Sequence, residues 1–404
     1  MKPGLERSSH TAYAVIGKAV AKLMPDRIPV TFVGDDAVGE LCRSIGYRGI
    51  RKVLVVSDAG LVGVGIVDRI TEQLEAAGVD WALYAGVEPD PTFAQVEAGF
   101  RQYEAEGCDA VVALGGGSPM DASKMVAAMA TNGGKLAALE GKFKVKQPPA
   151  PLFAVPTTAG TGSEVTVAAV VSDTETHEKR FFLDPKLLPE MVALDAGLMT
   201  GLPAPMTAAT GMDALTHAVE AFIAKTATAK TDGYAEIAVR LVFQHLPTAY
   251  RDGGDLDARK AMALAAYYAG LAFTRTSVGY VHAIAHNLGA TYGTPHGLAN
   301  AIALPLVLDF SKEAARPRLA RLAEIIGVES GSETEKAQRF IAAVRELMES
   351  VGIGEQLEAL KEEDIESLAT RARAEAYLEY PVPRYMDQEE CEALLRRMLV
   401  DAAA

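Results

Sequence analysis

Cysteine is nearly missing: Cys42, Cys108 and Cys391 are the only three in 404 residues, widely spaced and without a C-x-x-C pair. That scarcity argues against a disulfide framework or a thiolate zinc site and fits a reducing cytoplasm. An excess of basic charge is missing as well. With 39 Lys and Arg against 53 Asp and Glu the formal charge is −14, and no Lys/Arg-rich block occurs, so a nucleic-acid partner is not expected. Long apolar runs are also lacking. MKPGLERSSHTAYAV at the N-terminus has no extended apolar core of a secretory signal, and no run approaches the roughly 18 apolar residues of a membrane span. The most apolar stretch, ALAAYYAGLAF at 263–273, reads as a buried helix. What remains is a chain long enough to bury a large core, and the expected class is a cytoplasmic enzyme acting on a small molecule, with no membrane partner.

From about residue 30 to 200, short β-branched runs alternate with amphipathic stretches: KVLVVSD (52–58), VDRITEQLEAAG (67–78), WALYAG (81–86), FAQVEAGFRQYEAEG (93–107), AVVALGGG (110–117) and PLFAVPTTAG (151–160). This β-α-β-α rhythm predicts a parallel sheet covered by helices, with ligands bound beyond the carboxyl ends of its strands. After GLPAPM (201–206) the texture changes to long apolar-periodic segments such as ATGMDALTHAVEAFIA and VGYVHAIAHNLGATYG. The expected architecture is therefore an N-terminal α/β Rossmann-like domain over 1–202 and an all-α C-terminal domain over 203–404.

Three turns in the first half invite a nucleotide. AVVALGGGSPMDASK joins a strand, three glycines and a helix start, in which Ser118 is the expected N-cap, Pro119 the first helical residue and Asp121 the partner in a capping box. Three glycines exceed what a cap needs, and backbone amides at a helix start can approach a phosphate. PTTAGTGSEVT (156–166) offers threonine hydroxyls to a ribose, phosphate or carboxamide, or is simply a polar loop. Asp58, closing KVLVVSD, can accept from a ribose 2′-hydroxyl or cap the next helix.

The second half carries a histidine constellation. Asp213 and His217 are four apart and share one helix face, His282 and His286 repeat that spacing, and His296 follows in the turn TPHG. Buried charge needs a partner, and nitrogen and oxygen donors suit Fe(II), Zn(II), Ni(II) or Co(II). Four histidines and one aspartate exceed what a catalytic site with an open position uses, so at least one stands back, and spacing does not say which. His10, His177 and His245 lack such a context.

GGGSPMDASK (115–124), PTTAGTGSE (156–164), GMDALTHAVEA (211–221) and HAIAHNLGATYGTPHGLANA (282–301), in this order, resemble the iron-containing, or group III, alcohol dehydrogenase family. The resemblance covers the chain beyond about 30 N-terminal residues. It implies a Rossmann-like domain followed by a helical metal domain. It implies metal ligation by Asp213, His217, His282 and His296, leaving His286 near the nicotinamide as the catalytic histidine. It also implies Gly115, Gly116, Gly117 and Ser118 at the pyrophosphate, Thr157, Thr158 and Thr161 against the cofactor, Lys179 at the nicotinamide-side ribose, and Asp58 favouring NAD over NADP. Phe273 and Val278, upstream of His282, are candidates for the substrate-pocket wall. The implied activity is an NAD-dependent alcohol dehydrogenase or aldehyde reductase with Fe(II), or Zn(II) or another divalent ion in its place, working as a homodimer or larger homo-oligomer. Ser123, the Gly34-Asp35-Asp36 turn, Ala168 and the Val382-Pro383-Arg384 segment depart from the common family pattern without touching a ligand. A transhydrogenase retaining its cofactor is the nearer rival. A lyase resembling dehydroquinate synthase is the more distant one, because only Arg275 lies in 263–281 to meet a phosphate.

Overall fold

In the computed structural model residues 27–174 and 179–400 are described, so His10 and His177 lie outside them. The chain divides into two compact units, with the break between Gly201 and Leu202.

Among its described residues the first unit has nine strands: β1 (Val30–Val33), β2 (Lys52–Val56), β3 (Asp80–Tyr84), β4 (Ala110–Gly115), β5 (Gly141–Lys142), β6 (Leu152–Pro156), β7 (Ala168–Ser172), β8 (Lys179–Leu183) and β9 (Met191–Leu194). Its helices are α1 (Ala37–Tyr47), α2 (Ala59–Gly63), α3 (Ile66–Ala76), α4 (Phe93–Ala105) and α5 (Gly117–Thr131). Six strands form one parallel sheet in the order β1-β9-β6-β4-β2-β3. The central strands read as unbroken apolar runs because helices cover both faces; every residue of β4 and β6 is buried. The order reverses between β2 and β4, so Asp58 and the glycine turn flank the crevice where such sheets bind ligands. A second sheet, β5-β8-β7, was not foreshadowed by the rhythm. Its antiparallel β7–β8 pair places Val170 opposite Phe181.

The second unit is helical among its described residues: α6 (Ala204–Ile223), α7 (Ala229–Arg251), α8 (Leu256–Thr276), α9 (Tyr280–Tyr292), α10 (His296–Ile325), α11 (Glu333–Ser350), α12 (Ile365–Glu379) and α13 (Gln388–Arg396). Arg318 ties three of these together. Its guanidinium lies 3.8 Å from the centre of the Phe222 ring, donates to the Phe222 carbonyl at 2.9 Å and bonds Asp232 at 2.8 Å. One α10 side chain thus satisfies a carbonyl at the end of α6 and anchors the start of α7. No described helix is long and apolar enough to cross a membrane. The three cysteines are buried, and burial pushes the Cys42 and Cys391 thiols up to about 12 and Cys108 to about 11, which keeps them from acting as thiolates.

Candidate active site

Helix α6 presents Asp213 and His217 one turn apart, α9 presents His282 and His286 in the same way, and His296 opens α10 rather than lying in a turn. Asp213, His217, His282 and His296 converge, each offering one donor atom within 4.8 Å of all the others. His282 Nε2 is 2.9 Å from His217 Nε2, and Asp213 Oδ1 is 3.9 Å from His282 Nε2 and 3.5 Å from His296 Nε2. The first three residues are buried and His296 is partly exposed. Phe273 stacks on the His217 imidazole with ring centres 4.1 Å apart.

Glu220, one turn beyond His217 on α6, fixes the tautomer of His282. Its carboxylate accepts from the Gly279 and Val281 backbone N–H groups at 2.8 Å each and lies 2.6 Å from His282 Nδ1. With two amide donors already on the carboxylate, Nδ1–H donates as the third, and the Nε2 lone pair faces the cluster. Burial, reinforced by the neighbouring imidazoles, holds His282 well below the ordinary histidine range, the neutral state that ligation requires. Burial also raises the Asp213 and Glu220 carboxyls, a cost that the backbone amides on Glu220 and a bound cation would offset.

These observations test whether a metal fits. Two buried carboxylates and three converging imidazoles have no lysine or arginine paired with either acid among the described residues. Asn300 aims its amide nitrogen at three of the four donors, 2.7 Å from Asp213 Oδ1, 3.1 Å from His296 Nε2 and 3.3 Å from His282 Nε2. Its buried Oδ1 makes no hydrogen bond among the described residues. The donor set calls for a positive centre, and one carboxylate with three imidazoles suits a divalent ion of the Fe(II) or Zn(II) kind.

His286 lies outside this convergence. Its ring stacks on that of His296 with centres 5.3 Å apart, and Nδ1 is held 2.7 Å from Glu375 Oε1 of α12. The two expected pocket residues meet different surroundings. Phe273 stacks on His217 of the cluster, and Val278 lines a small cavity with Glu220, Gly279, Tyr280, Pro381 and Val382.

In the first unit the glycine and threonine turns meet. Gly115 is paired with Pro156 across β4 and β6, and the Thr157 amide donates to the Gly115 carbonyl at 3.1 Å. A Cβ on Gly116 would lie 3.2 Å from Thr158 Oγ1, and one on Gly117 would lie 2.9 Å from Thr161 Cγ2. Gly115 itself has φ +146 and no room beside Pro119. The glycines therefore let two polar turns close on one helix start. The expected capping box is wrong: Gly116 is the N-cap, α5 begins at Gly117, and Ser118 and Pro119 already lie inside the first turn. Asp121 instead accepts from Ser163 Oγ at 2.7 Å and from the Val170 amide at 2.9 Å.

Lys124 explains that placement. Fully buried, it donates to Ser163 Oγ, Thr166 Oγ1 and the Ala168 carbonyl at 2.7–2.8 Å, and burial lowers its pKa to about 8. It pins the threonine loop to α5. Lys124→Met should lower the unfolding free energy by about 2 kcal/mol, because three hydrogen bonds of a buried ammonium are lost and the partly buried Asp121, 3.7 Å away, loses its cation. Urea denaturation checks it, and wild-type stability would remove the pinning role.

Asp58 already caps α2, accepting from the Leu61 amide at 2.9 Å, so any ribose contact is an added task for the carboxylate. Lys179 is drawn aside: its ammonium pairs with Asp90 at 2.8 Å and would have to leave that partner to reach a ribose. Glu220, Asn300 and Glu375 were not anticipated. Glu220 at three residues from His217 and Asn300 at four from His296 are legible as helix-face neighbours, but nothing in the sequence near position 375 points to position 286.

Two family profiles match the chain, "Iron-containing alcohol dehydrogenase" over residues 29–196 and "Fe-containing alcohol dehydrogenase family, C-terminal" over 207–399. The NAD-dependent methanol dehydrogenase of Bacillus methanolicus is 40% identical over 85% of this chain and 91% of its own. The lactaldehyde reductase of Escherichia coli K12 is 39% identical over 84% and 90%. A crystal structure of 1,3-propanediol oxidoreductase has a TM-score of 0.89 at 39% identity, covering 92% of this chain and 98% of that one. With profiles matching in both units and relatives aligned through both, the chain belongs to the iron-containing alcohol dehydrogenase family.

Proposed function

We propose that this chain interconverts small primary alcohols and their aldehydes with NAD as hydride carrier, and that Asp213, His217, His282 and His296 hold its divalent metal, Fe(II) or alternatively Zn(II). The convergence of one carboxylate and three imidazoles within 4.8 Å carries this reading. When bound, the ion supplies a Lewis acid for the substrate oxygen and NAD supplies the hydride acceptor. The chain's own residues do the rest. Glu220 keeps the His282 lone pair turned inward, Phe273 gives the cluster an apolar wall, and Gly115, Gly116, Gly117 and Ser118 present backbone amides to the pyrophosphate. Thr157, Thr158 and Thr161 offer hydroxyls beside them, Lys179 serves the ribose once released from Asp90, and Asp58 repels a 2′-phosphate. His286, held outside the donor set, moves the proton that leaves with each hydride.

The relatives are named for methanol, lactaldehyde and 1,3-propanediol, which supports a small, polar-tolerant substrate. The chain is further proposed to work in the cytoplasm as a homo-oligomer, which light scattering on the purified protein reads directly. The decisive assay is a panel of alcohols and aldehydes with NAD and NADP after defined metal loading. Free NADH should accumulate with primary alcohols only when Fe(II) or Zn(II) is present, and NADP should be at least about 10-fold poorer. Turnover with reduced cofactor that never leaves the protein would indicate the transhydrogenase instead, and full activity without metal would sink the proposal.

A further inference from the structure

His282 and His286 lie one turn apart on α9, and each has its Nδ1 held by a carboxylate from a different helix, Glu220 of α6 at 2.6 Å and Glu375 of α12 at 2.7 Å. The first arrangement turns a lone pair toward the metal donors. The second has no such ligand set to serve. Glu375 accepts in its two other side-chain contacts among the described residues: Tyr380 Oη donates to the same Oε1 at 2.6 Å, and Asn287 Nδ2 donates to Oε2 at 3.3 Å. The Asn287 amide cannot turn over to suit another partner, because its Oδ1 accepts from Arg371 Nε at 3.0 Å. Arg371 is itself fixed by Thr291 Oγ1 at 2.8 Å. The Asn287 amide is a donor of fixed orientation, and an ionised carboxylate accepts from it, from the Tyr380 hydroxyl and from a His286 Nδ1–H together.

We propose that Glu375 is a positioning residue for the reaction, holding His286 in the tautomer with its proton on Nδ1 so that Nε2 presents the lone pair for the substrate proton. The inference rests on the reading of His286 given above. Glu375 takes no proton itself; Tyr380 and the Asn287–Arg371 pair keep it from rotating away. A glutamine at 375 would turn an NH₂ group against Asn287 or against the His286–Tyr380 pair, and the tautomer would no longer be set.

Long-range ¹H–¹⁵N correlation on ¹⁵N-histidine-labelled, zinc-loaded protein, with His286 assigned by its loss in His286→Ala, should show the His286 proton on Nδ1. A proton on Nε2 in the unsubstituted protein overturns the proposal without any variant at 375. Glu375→Gln should lower kcat roughly 10- to 100-fold, the loss expected for removing an orienting partner. KM and bound metal should stay within about twofold of wild type, and Glu375→Asp should restore part of the rate. In a His286→Ala background the same change should cost nothing further, because the two act as one unit. A full additional loss there, or wild-type kcat in Glu375→Gln, overturns the inference. If His286→Ala alone keeps wild-type kcat, the reading of His286 fails as well; if it loses rate while Glu375→Gln does not, only the role of Glu375 fails.

Discussion

Replacing His282 by alanine is expected to strip the metal and lower kcat/KM by about 10³-fold or more, near 4 kcal/mol of transition-state stabilisation. His282 is the donor on which the site is organised. Its Nε2 lies 2.9 Å from His217 Nε2, and burial keeps it neutral. The Glu220 clamp leaves one orientation open to the ring. Alanine removes that donor and leaves the buried Glu220 carboxyl with two backbone amides only, so the remaining three donors no longer surround an ion. Metal analysis after dialysis should find little iron or zinc, and added metal should no longer raise the melting temperature as it does when an ion binds the folded state alone. His245→Ala on α7, away from the cluster, is the control and should keep both metal and rate. Stoichiometric metal of wild-type affinity in His282→Ala would show that the ion sits elsewhere.

Gly297→Ala should destabilise the fold and weaken the metal site although it removes nothing. A Cβ at this position would lie 2.3 Å from the Ala209 carbonyl oxygen and 2.7 Å from its carbon. Both are backbone atoms of α6 that cannot swing aside as a side-chain tip can. The start of α10 must therefore move away from α6. His296 precedes Gly297, and Asp213 lies one turn beyond Ala209, so the same displacement draws His296 Nε2 off Asp213 Oδ1, now 3.5 Å apart. Overpacking of this kind costs about 3 kcal/mol at its upper range. Metal affinity should fall about 10-fold, as when a ligand loses its orientation. Calorimetry and metal titration read the two effects. The same substitution at Gly233, an exposed position of α7 with nothing within 4 Å of its Cβ, should instead stabilise by about 0.5–1 kcal/mol through helix propensity. Equal melting temperatures for the two variants would refute the steric account.

Local periodicity was enough to foresee much of this molecule. The unbroken apolar runs around Val53–Val56, Ala110–Leu114 and Leu152–Val155 marked strands covered on both faces, and they lie together in the sheet. Four-residue spacing put Asp213 beside His217 and His282 beside His286, because a helix repeats its face at that interval wherever it is packed. The same logic reached the glycine and threonine turns, each of which follows a buried strand. It failed where a choice depended on partners distant in sequence. Ser118 had the chemistry of an N-cap, yet the helix begins at Gly117, and Asp121 is taken by Ser163 and Val170. The pairing of Lys179 with Asp90, 89 positions away, was equally beyond the reach of spacing.

The histidines divide along the same line. The sequence by itself determined that five metal-suited side chains would fall on two helix faces and a following segment, since chain geometry alone sets that. Only the tertiary structure decided that His282 turns its lone pair inward and His286 stands apart, because Glu220 and Glu375, 62 and 89 positions away, hold their Nδ1 atoms. Hydrogen-bond direction over such separations is a property of packed helices, and no residue spacing encodes it.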